Sequence, residues 1–101
     1  MKKVYICGSI KNNKNYIREF TLAEILLMKN GYIVLNPVVP RGISEKEAMI
    51  LALNKMFLCD IVCPINDYRE SKGVEIELLL AKYLGIPIVK LKKLVNKKKN
   101  F

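Results

Sequence analysis

Two glutamates on one predicted helix, Glu75 and Glu77, are the residues whose spacing first points to chemistry. At about 100° per residue, Glu75 shares a polar face with Lys82, whereas Glu77 falls between Ala81 and Leu84 on an apolar stripe. A carboxylate on such a stripe is costly unless it is paired or functional. Either Glu77 reaches water at the edge of the helix or it has a functional role, and the helical pattern alone allows both.

Polar groups at the ends of predicted elements are suited to binding an anion. Gly8-Ser9 ends the first predicted strand, where backbone N–H groups and a hydroxyl can approach a phosphate, and Lys11 lies within reach. Ser71 is predicted to cap the helix that carries Glu77, at the positive end of its dipole. A Gly-Ser pair is also a good turn and a serine is also a good cap, so both roles stay open. Neither a GxGxxG fingerprint nor a GxxxxGK[ST] loop is present.

Several classes of enzyme are excluded by what the chain lacks. It contains no histidine, which removes Ser-His-Asp and Cys-His mechanisms and the commonest metal ligand. Its three cysteines, Cys7, Cys59 and Cys63, lie in or beside apolar runs, which favours buried free thiols over disulfides. Three cysteines do not complete a zinc site. Any chemistry must use carboxylates, hydroxyls, lysine and tyrosine, and we expect neither a metal nor a cofactor.

The net charge of +9 is concentrated at the C-terminal end of the chain. Six lysines lie within the last twelve residues, and subtracting them from +9 leaves +3 for residues 1–89. This pattern predicts one folded domain over residues 1–91 and a basic tail over residues 92–101, because such lysine runs are usually solvated. Nucleic-acid binding by the tail is the less favoured alternative.

The length and the apolar content of the chain are those of one globular core. Of the 101 residues, 51% are hydrophobic and 27% are charged, which is ordinary for a single domain. No apolar run approaches the roughly 20 residues that a membrane span needs. We therefore expect a cytoplasmic protein that has no membrane partner.

Strands and helices alternate along the chain and position these residues. Buried apolar runs predict strands at residues 3–7, 32–35, 59–63 and 86–91. Helical periodicity predicts helices at residues 16–29, 45–58 and 72–84. Ser44 and Glu47 match a capping box at the start of the second helix.

This order of elements is typical of an α/β fold with a parallel sheet covered by helices, because the strands are apolar on both faces. Ligands of such sheets bind beyond the carboxyl ends of the strands. The site is therefore expected among three segments, residues 8–11, 36–42 and 64–73.

Four short motifs together resemble the nucleoside 2-deoxyribosyltransferase superfamily. They are Tyr5-Ile6-Cys7-Gly8-Ser9-Ile10, Cys59-Asp60-Ile61-Val62, Ser71-Lys72-Gly73-Val74-Glu75-Ile76-Glu77-Leu78 and Gly85-Ile86-Pro87-Ile88. The first motif is similar to that of the 2′-deoxynucleoside 5′-phosphate N-hydrolases. The overall length and the Cys-Asp…Ser-x-Gly-x-x-x-Glu spacing resemble the short, mostly phage-borne relatives of unknown function. The resemblance covers residues 4–91.

The resemblance implies a flavodoxin-like three-layer sandwich with a parallel sheet of about four to five strands. It also implies a homodimer or larger assembly with shared active sites. The helix at residues 72–84 agrees with such an assembly, because it is apolar on nearly every face except at Glu75 and Lys82. A helix of this kind must be covered on both sides.

The same resemblance implies roles for particular residues. The glutamate nucleophile of the Gly-x-x-x-Glu motif corresponds to Glu77, with Tyr5 beside it as the second catalytic residue. Ser9 and Ser71 would contact a 5′-phosphate. The implied substrate-binding residues are Gly8, Ser9, Ile10, Lys11, Asp67, Ser71 and Gly73.

The activity implied is cleavage or transfer at the N-glycosidic bond of a (deoxy)nucleoside or its 5′-monophosphate. Two positions depart from the family: Ala52 stands where an aspartate assists at the base, and Pro37 aligns near a polar group of the hydrolases. Asp67 or Glu70 are the carboxylates that could replace the missing one. The alternatives are a catalytically impaired nucleotide-binding protein and a small basic nucleic-acid-associated factor.

Overall fold

A computed structural model of the protein describes residues 1–95, and its strands and helices alternate as the sequence predicts through the third helix, after which a short helix takes the place of the fourth strand. In chain order they are β1 (Lys3–Cys7), α1 (Tyr16–Lys29), β2 (Ile33–Leu35), α2 (Glu45–Met56), β3 (Ile61–Pro64), α3 (Lys72–Leu84) and α4 (Leu91–Val95).

The sheet is parallel and has the strand order β2-β1-β3. Val4 of β1 lies opposite Val34 on one side and Ile61 on the other. Because β1 is central, its side chains are buried from Val4 to Cys7. The carboxyl ends of the three strands meet at one edge of the sheet, as parallel pairing requires.

Side chains of β1 alternate between two hydrophobic clusters, one on each face of the sheet. Val4 and Ile6 pack with residues of α1 and α4, whereas Tyr5 and Cys7 pack with residues of α2 and α3. The helices therefore form a layer on each face. The α/β class, the parallel sheet and the three layers are confirmed.

The predicted strand number of four to five is wrong for the described residues, which form three strands. The region expected to be the fourth strand makes a single parallel bridge between Ile88 and Val62. The Val62 N–H donates to Pro87 O and the Val89 N–H donates to Val62 O, both at 2.9 Å. Pro87 has no N–H, and the chain turns into α4 at Leu91, so no longer ladder forms.

Part of the predicted tail is folded. Residues 92–95 belong to α4, in which Leu94 is buried against the α1 side of the core. Lys97, Lys98 and Lys99 lie outside the described residues. The boundary between domain and tail stays a prediction.

Helix ends follow the residues that the sequence marks. Ser44 and Glu47 form the predicted capping box, and Ser71 caps α3 by accepting from the Val74 N–H. Gly85 ends α3 in the left-handed conformation with φ of 72°, which glycine adopts at little cost.

Two boundaries differ from the expectation around Asp60. α2 ends at Met56, and β3 begins at Ile61 and extends to Pro64. The Asp60 carboxylate accepts from the Lys3 N–H at 2.8 Å, and the Asp60 N–H donates to Lys3 O at 2.7 Å. These bonds hold Asp60 at the entrance of the sheet, one residue before ladder pairing starts.

The three cysteines are free thiols, as their apolar surroundings predict. Cys7 and Cys63 are buried free thiols, and Cys59 is a half-buried one. Within residues 1–95, no helix combines the length and the apolar character that crossing a membrane requires.

Candidate functional site

A cleft of about 1360 Å³ opens at the carboxyl ends of the strands. Its walls come from the three predicted segments, joined by the inner faces of α2 and α3. All nine residues that the sequence proposes for the site line it: Tyr5, Gly8, Ser9, Ile10, Lys11, Asp67, Ser71, Gly73 and Glu77. The fold therefore brings together residues that lie up to 72 positions apart in the chain.

Tyr5 and Glu77 form a buried pair on the wall of this cleft. The Tyr5 hydroxyl donates a hydrogen bond to Glu77 Oε2. Tyr5 is 0% exposed and Glu77 is 6% exposed, whereas Glu75 is exposed to solvent. The pairing arises because Tyr5 points to the α2–α3 side of the sheet, where Glu77 lies one helical turn beyond Val74. The predicted difference between the two glutamates is confirmed for burial.

Burial raises the pKa of both members of this pair and of the neighbouring Cys7 thiol. The pKa of Glu77 is raised by desolvation, an effect that the hydrogen bond from Tyr5 partly offsets. The pKa of Tyr5 is raised by desolvation and then by the charge of Glu77, so its hydroxyl remains a donor. The pKa of the Cys7 thiol is raised by the same two causes, in the same order. Cys7 is therefore held as an unreactive thiol, whereas the hydrogen bond from Tyr5 favours the ionised form of Glu77.

The turn after β1 is held by residues that the sequence reasoning missed. Asn66 Oδ1 accepts from the Ser9 N–H at 2.8 Å, and Asn13 Nδ2 donates to Ser9 O at 2.9 Å. Both asparagine side chains also donate to Glu19 Oε1. The sequence held one signal for Asn66: it is a polar residue two positions after the strand that ends at Pro64, inside the segment 64–73 that was expected to line the site.

Gly8 is needed where it stands because of this contact. A Cβ at position 8 would lie 2.7 Å from Asn66 Oδ1. At Gly73 the space is more generous, since a Cβ there would meet Met49 Cε at 3.6 Å, an ordinary contact. The close approach at position 8 is therefore structural, whereas position 73 has room for a side chain.

Two of the predicted binding residues are engaged in ion pairs. Lys11 Nζ lies 3.1 Å from Glu45 Oε1, and both side chains are well exposed. Asp67 accepts from Arg69 Nε at 3.0 Å and from Arg69 Nη2 at 2.7 Å. The hydrogen bonds from Arg69 lower the pKa of Asp67 to about 2. Asp67 is thus ionised at neutral pH, which makes it an acceptor and a poor proton donor.

Ala52 contributes an apolar stretch of wall. It is nearly buried and packs in the cluster of Tyr5 and Met56. Tyr16, Val38 and other apolar side chains continue this lining.

The acidic residues of the cleft other than Glu77 are Glu45, Asp67 and Glu70. In the described part of the chain, no group of three or more His, Cys, Asp or Glu side chains could hold a metal ion.

The fold and the site define a small parallel α/β protein whose cleft carries a buried carboxylate at the strand ends. Residues 2–90 match the family model described as Domain of unknown function (DUF4406). The chain belongs to this family, whose description states no activity. No curated protein matches the chain.

Two solved structures share the fold. One is a 2-deoxyribosyltransferase from the psychrotolerant bacterium Bacillus psychrosaccharolyticus, which is similar with a TM-score of 0.66 and 24% identity over 87% of this chain and 70% of that one. The other is a conserved protein from Enterococcus faecalis V583, with a TM-score of 0.67 and 15% identity over 89% of this chain and 62% of that one. At these identities the likeness shows a common fold, and this chain is shorter than either neighbour.

Proposed function

We propose that this protein cleaves or transfers at the N-glycosidic bond of a nucleoside or nucleoside 5′-monophosphate, with Glu77 as the nucleophile. The observation that carries the proposal is a carboxylate, 6% exposed, on the wall of a large cleft with a tyrosine hydroxyl as its hydrogen-bond donor. The fold shared with a 2-deoxyribosyltransferase supports a substrate of this class.

The proposed reaction needs only groups present in the cleft. With Oε2 of Glu77 held by Tyr5, Oε1 attacks C1′ of the sugar. The C1′–N bond breaks, and its electron pair leaves with the base nitrogen, which takes up a proton. Water or a second base then displaces the carboxylate from C1′, which restores Glu77. Two displacements at C1′ give overall retention of configuration.

Protonation of the departing base is the step for which the cleft offers the fewest suitable groups. Ala52 offers no acid, and Asp67 is held as an anion by Arg69. Glu70 is the remaining carboxyl group of the loop between β3 and α3 that lines the cleft. We assign the proton-donor role to Glu70, and Glu70→Gln is expected to lower the rate by about 10²-fold or more.

The test is base release from a panel of nucleosides and 5′-monophosphates, followed by chromatography. Wild type should release free base, most readily from 2′-deoxy substrates. Glu77→Gln should reduce release by at least about 10³-fold while leaving ligand binding intact, because only the attacking oxygen is lost. Glu75→Gln, on the exposed face of the same helix, is the matched control and should change little. Equal activity of the two variants would refute the mechanism.

The second candidate is a nucleotide-binding protein without turnover. The observation that favours it is the apolar wall at Ala52, where an acid would be needed. A protein that releases no base but whose Tm rises with a 5′-monophosphate would establish this function. Ala52→Asp would then be the variant to test for gain of base release.

We also propose that a second copy of the chain covers the outer face of α3. Ile76, Leu79 and Tyr83 lie on this face at helical spacing, and Tyr83 is 85% exposed. Ile76 also lines the cleft, so a copy seated there would adjoin the site. Light scattering should give a dimer or larger at micromolar concentration, and Leu79→Glu should shift it to monomer. A monomeric wild type would contradict this assembly.

A further inference from the structure

The side chain of Asn66 joins the loop after β3 to the turn after β1. Its Oδ1 accepts from the Ser9 N–H at 2.8 Å, while its Nδ2 donates to Glu19 Oε1 at 2.8 Å and to Ser9 O at 3.3 Å. Asn66 thus contacts both backbone polar groups of one turn residue. Gly8 admits this contact, since a Cβ there would overlap the amide.

Glu19 determines which way the Asn66 amide faces. A carboxylate oxygen only accepts hydrogen bonds, so the NH₂ group of Asn66 must point to Glu19 and its oxygen must point to the Ser9 N–H. Asn13 donates to the same Glu19 oxygen at 2.9 Å and to Ser9 O at 2.9 Å. The turn is therefore held from two sides by amides that share one acceptor.

This network also determines which groups of the turn remain for a ligand. The Ser9 N–H is already used by Asn66 and cannot bind an anion. Within residues 1–95, the Ser9 hydroxyl and the backbone N–H groups of Ile10 and Lys11 have no partner, and all three residues line the cleft. Consecutive N–H groups at a turn are a recurrent way of binding phosphate.

We propose that Asn66, oriented by Glu19, is a positioning residue that sets the β1–α1 turn for the phosphate of a nucleoside 5′-monophosphate. The inference deepens the proposed function and rests on it for the nucleotide. Asn66 would act through Ser9 rather than by touching the ligand. Its effect should accordingly appear in phosphate affinity and not in recognition of the base and sugar.

Calorimetric titration of the full chain tests this role. The probes are inorganic phosphate, the four common 2′-deoxynucleoside 5′-monophosphates and their nucleosides. Asn66→Ala should weaken phosphate and monophosphate binding by about tenfold, the equivalent of one lost hydrogen bond. It should leave nucleoside affinity within about twofold. Asn30→Ala, which removes a half-buried asparagine at the far end of α1, is the control and should change neither.

A rescue experiment separates positioning from simple destabilisation. Asn66→Asp keeps the shape but places an acceptor opposite Glu19, so monophosphate affinity should fall at least as far as in Asn66→Ala. Adding Glu19→Gln supplies a donor to the new carboxylate and should recover part of the loss. A merely structural role predicts equal weakening for nucleoside and monophosphate in Asn66→Asp, and equal recovery for both in the double variant.

The outcomes distinguish this inference from the proposed function. If wild type prefers the monophosphate but releases no base, the proposed activity is refuted, and the binding data for the Asn66 variants still decide the positioning role. If wild type releases base but binds monophosphate no better than nucleoside, the turn binds no phosphate and the inference is overturned. An unchanged ratio of the two affinities in Asn66→Ala overturns it as well.

Discussion

Removing the Tyr5 hydroxyl should change the stability of the protein in a pH-dependent way. Tyr5→Phe deletes the donor to Glu77 Oε2 inside the core and leaves the ring in place. Above the pKa of Glu77, the lost bond is charge-assisted and is worth about 1.5–3 kcal/mol. Below it, the lost bond is neutral and is worth about 0.5–1.5 kcal/mol. The difference of about 1–1.5 kcal/mol corresponds to a further rise in the pKa of Glu77.

The direction of this pH dependence follows from the raised pKa of Glu77 in the wild-type protein. The folded-state pKa of Glu77 lies above its usual value of 4.5. Ionisation of Glu77 therefore costs no stability below that value and lowers stability as the pH rises through the folded pKa. Tyr5→Phe moves the folded pKa higher, so the gap between variant and wild type must widen from acid to alkaline pH.

Urea unfolding at about pH 4 and about pH 8 measures this gap without any need for activity. Where base is released, the acid limb of the pH–rate profile should move to higher pH in Tyr5→Phe. Tyr68→Phe is the control, because Tyr68 packs in the same cluster but has no bond to Glu77. A loss in Tyr5→Phe that is the same at both pH values would refute the reasoning.

The same reasoning applies to removal of the charge itself. Glu77→Gln keeps an acceptor for Tyr5 but cannot ionise, so it should be more stable than wild type at about pH 8. The advantage should disappear towards about pH 4, where the wild-type carboxyl is neutral as well. Urea unfolding at the two pH values checks this. A variant less stable than wild type at about pH 8 would contradict this prediction, because it would mean that interactions in the folded protein outweigh the cost of burying the carboxylate.

Further variants test the turn and the helix caps. Gly8→Ala should lower the free energy of unfolding by about 1–3 kcal/mol, because its Cβ would meet Asn66. Gly73→Ala should raise it by about 0.5–1 kcal/mol, because position 73 is helical and has room for a methyl group. Urea unfolding measures both changes, and equal effects would contradict the geometry. Ser44→Ala and Ser71→Ala should each lose about 1 kcal/mol as cap deletions. Of these two serines only Ser71 lines the cleft, so only Ser71→Ala should also lower the affinity for 5′-monophosphates, measured by calorimetric titration. A similar loss of affinity in Ser44→Ala would refute the role of Ser71 in the cleft.

Local patterns in the sequence were sufficient for the helix caps and for placing Glu77 on the apolar stripe of α3. The Ser44 capping box, the Ser71 cap and the Gly85 stop depend on residues within a few positions of one another. Helical periodicity within α3 places Glu77 on the apolar stripe and Glu75 on the polar face, which requires no knowledge of distant residues.

Tertiary structure decided what depends on contacts between distant segments. The partner of Glu77 is Tyr5, 72 positions away, and the amide that holds Ser9 lies 57 positions away. The sequence pattern of the region around Ile88 is that of a full strand, yet Pro87 and the entry into α4 reduce its pairing to one bridge. The hydrogen-bond partners of a side chain and the length of an edge strand depend on the packed chain as a whole, because distant groups come within reach of one another only when the strands are in register.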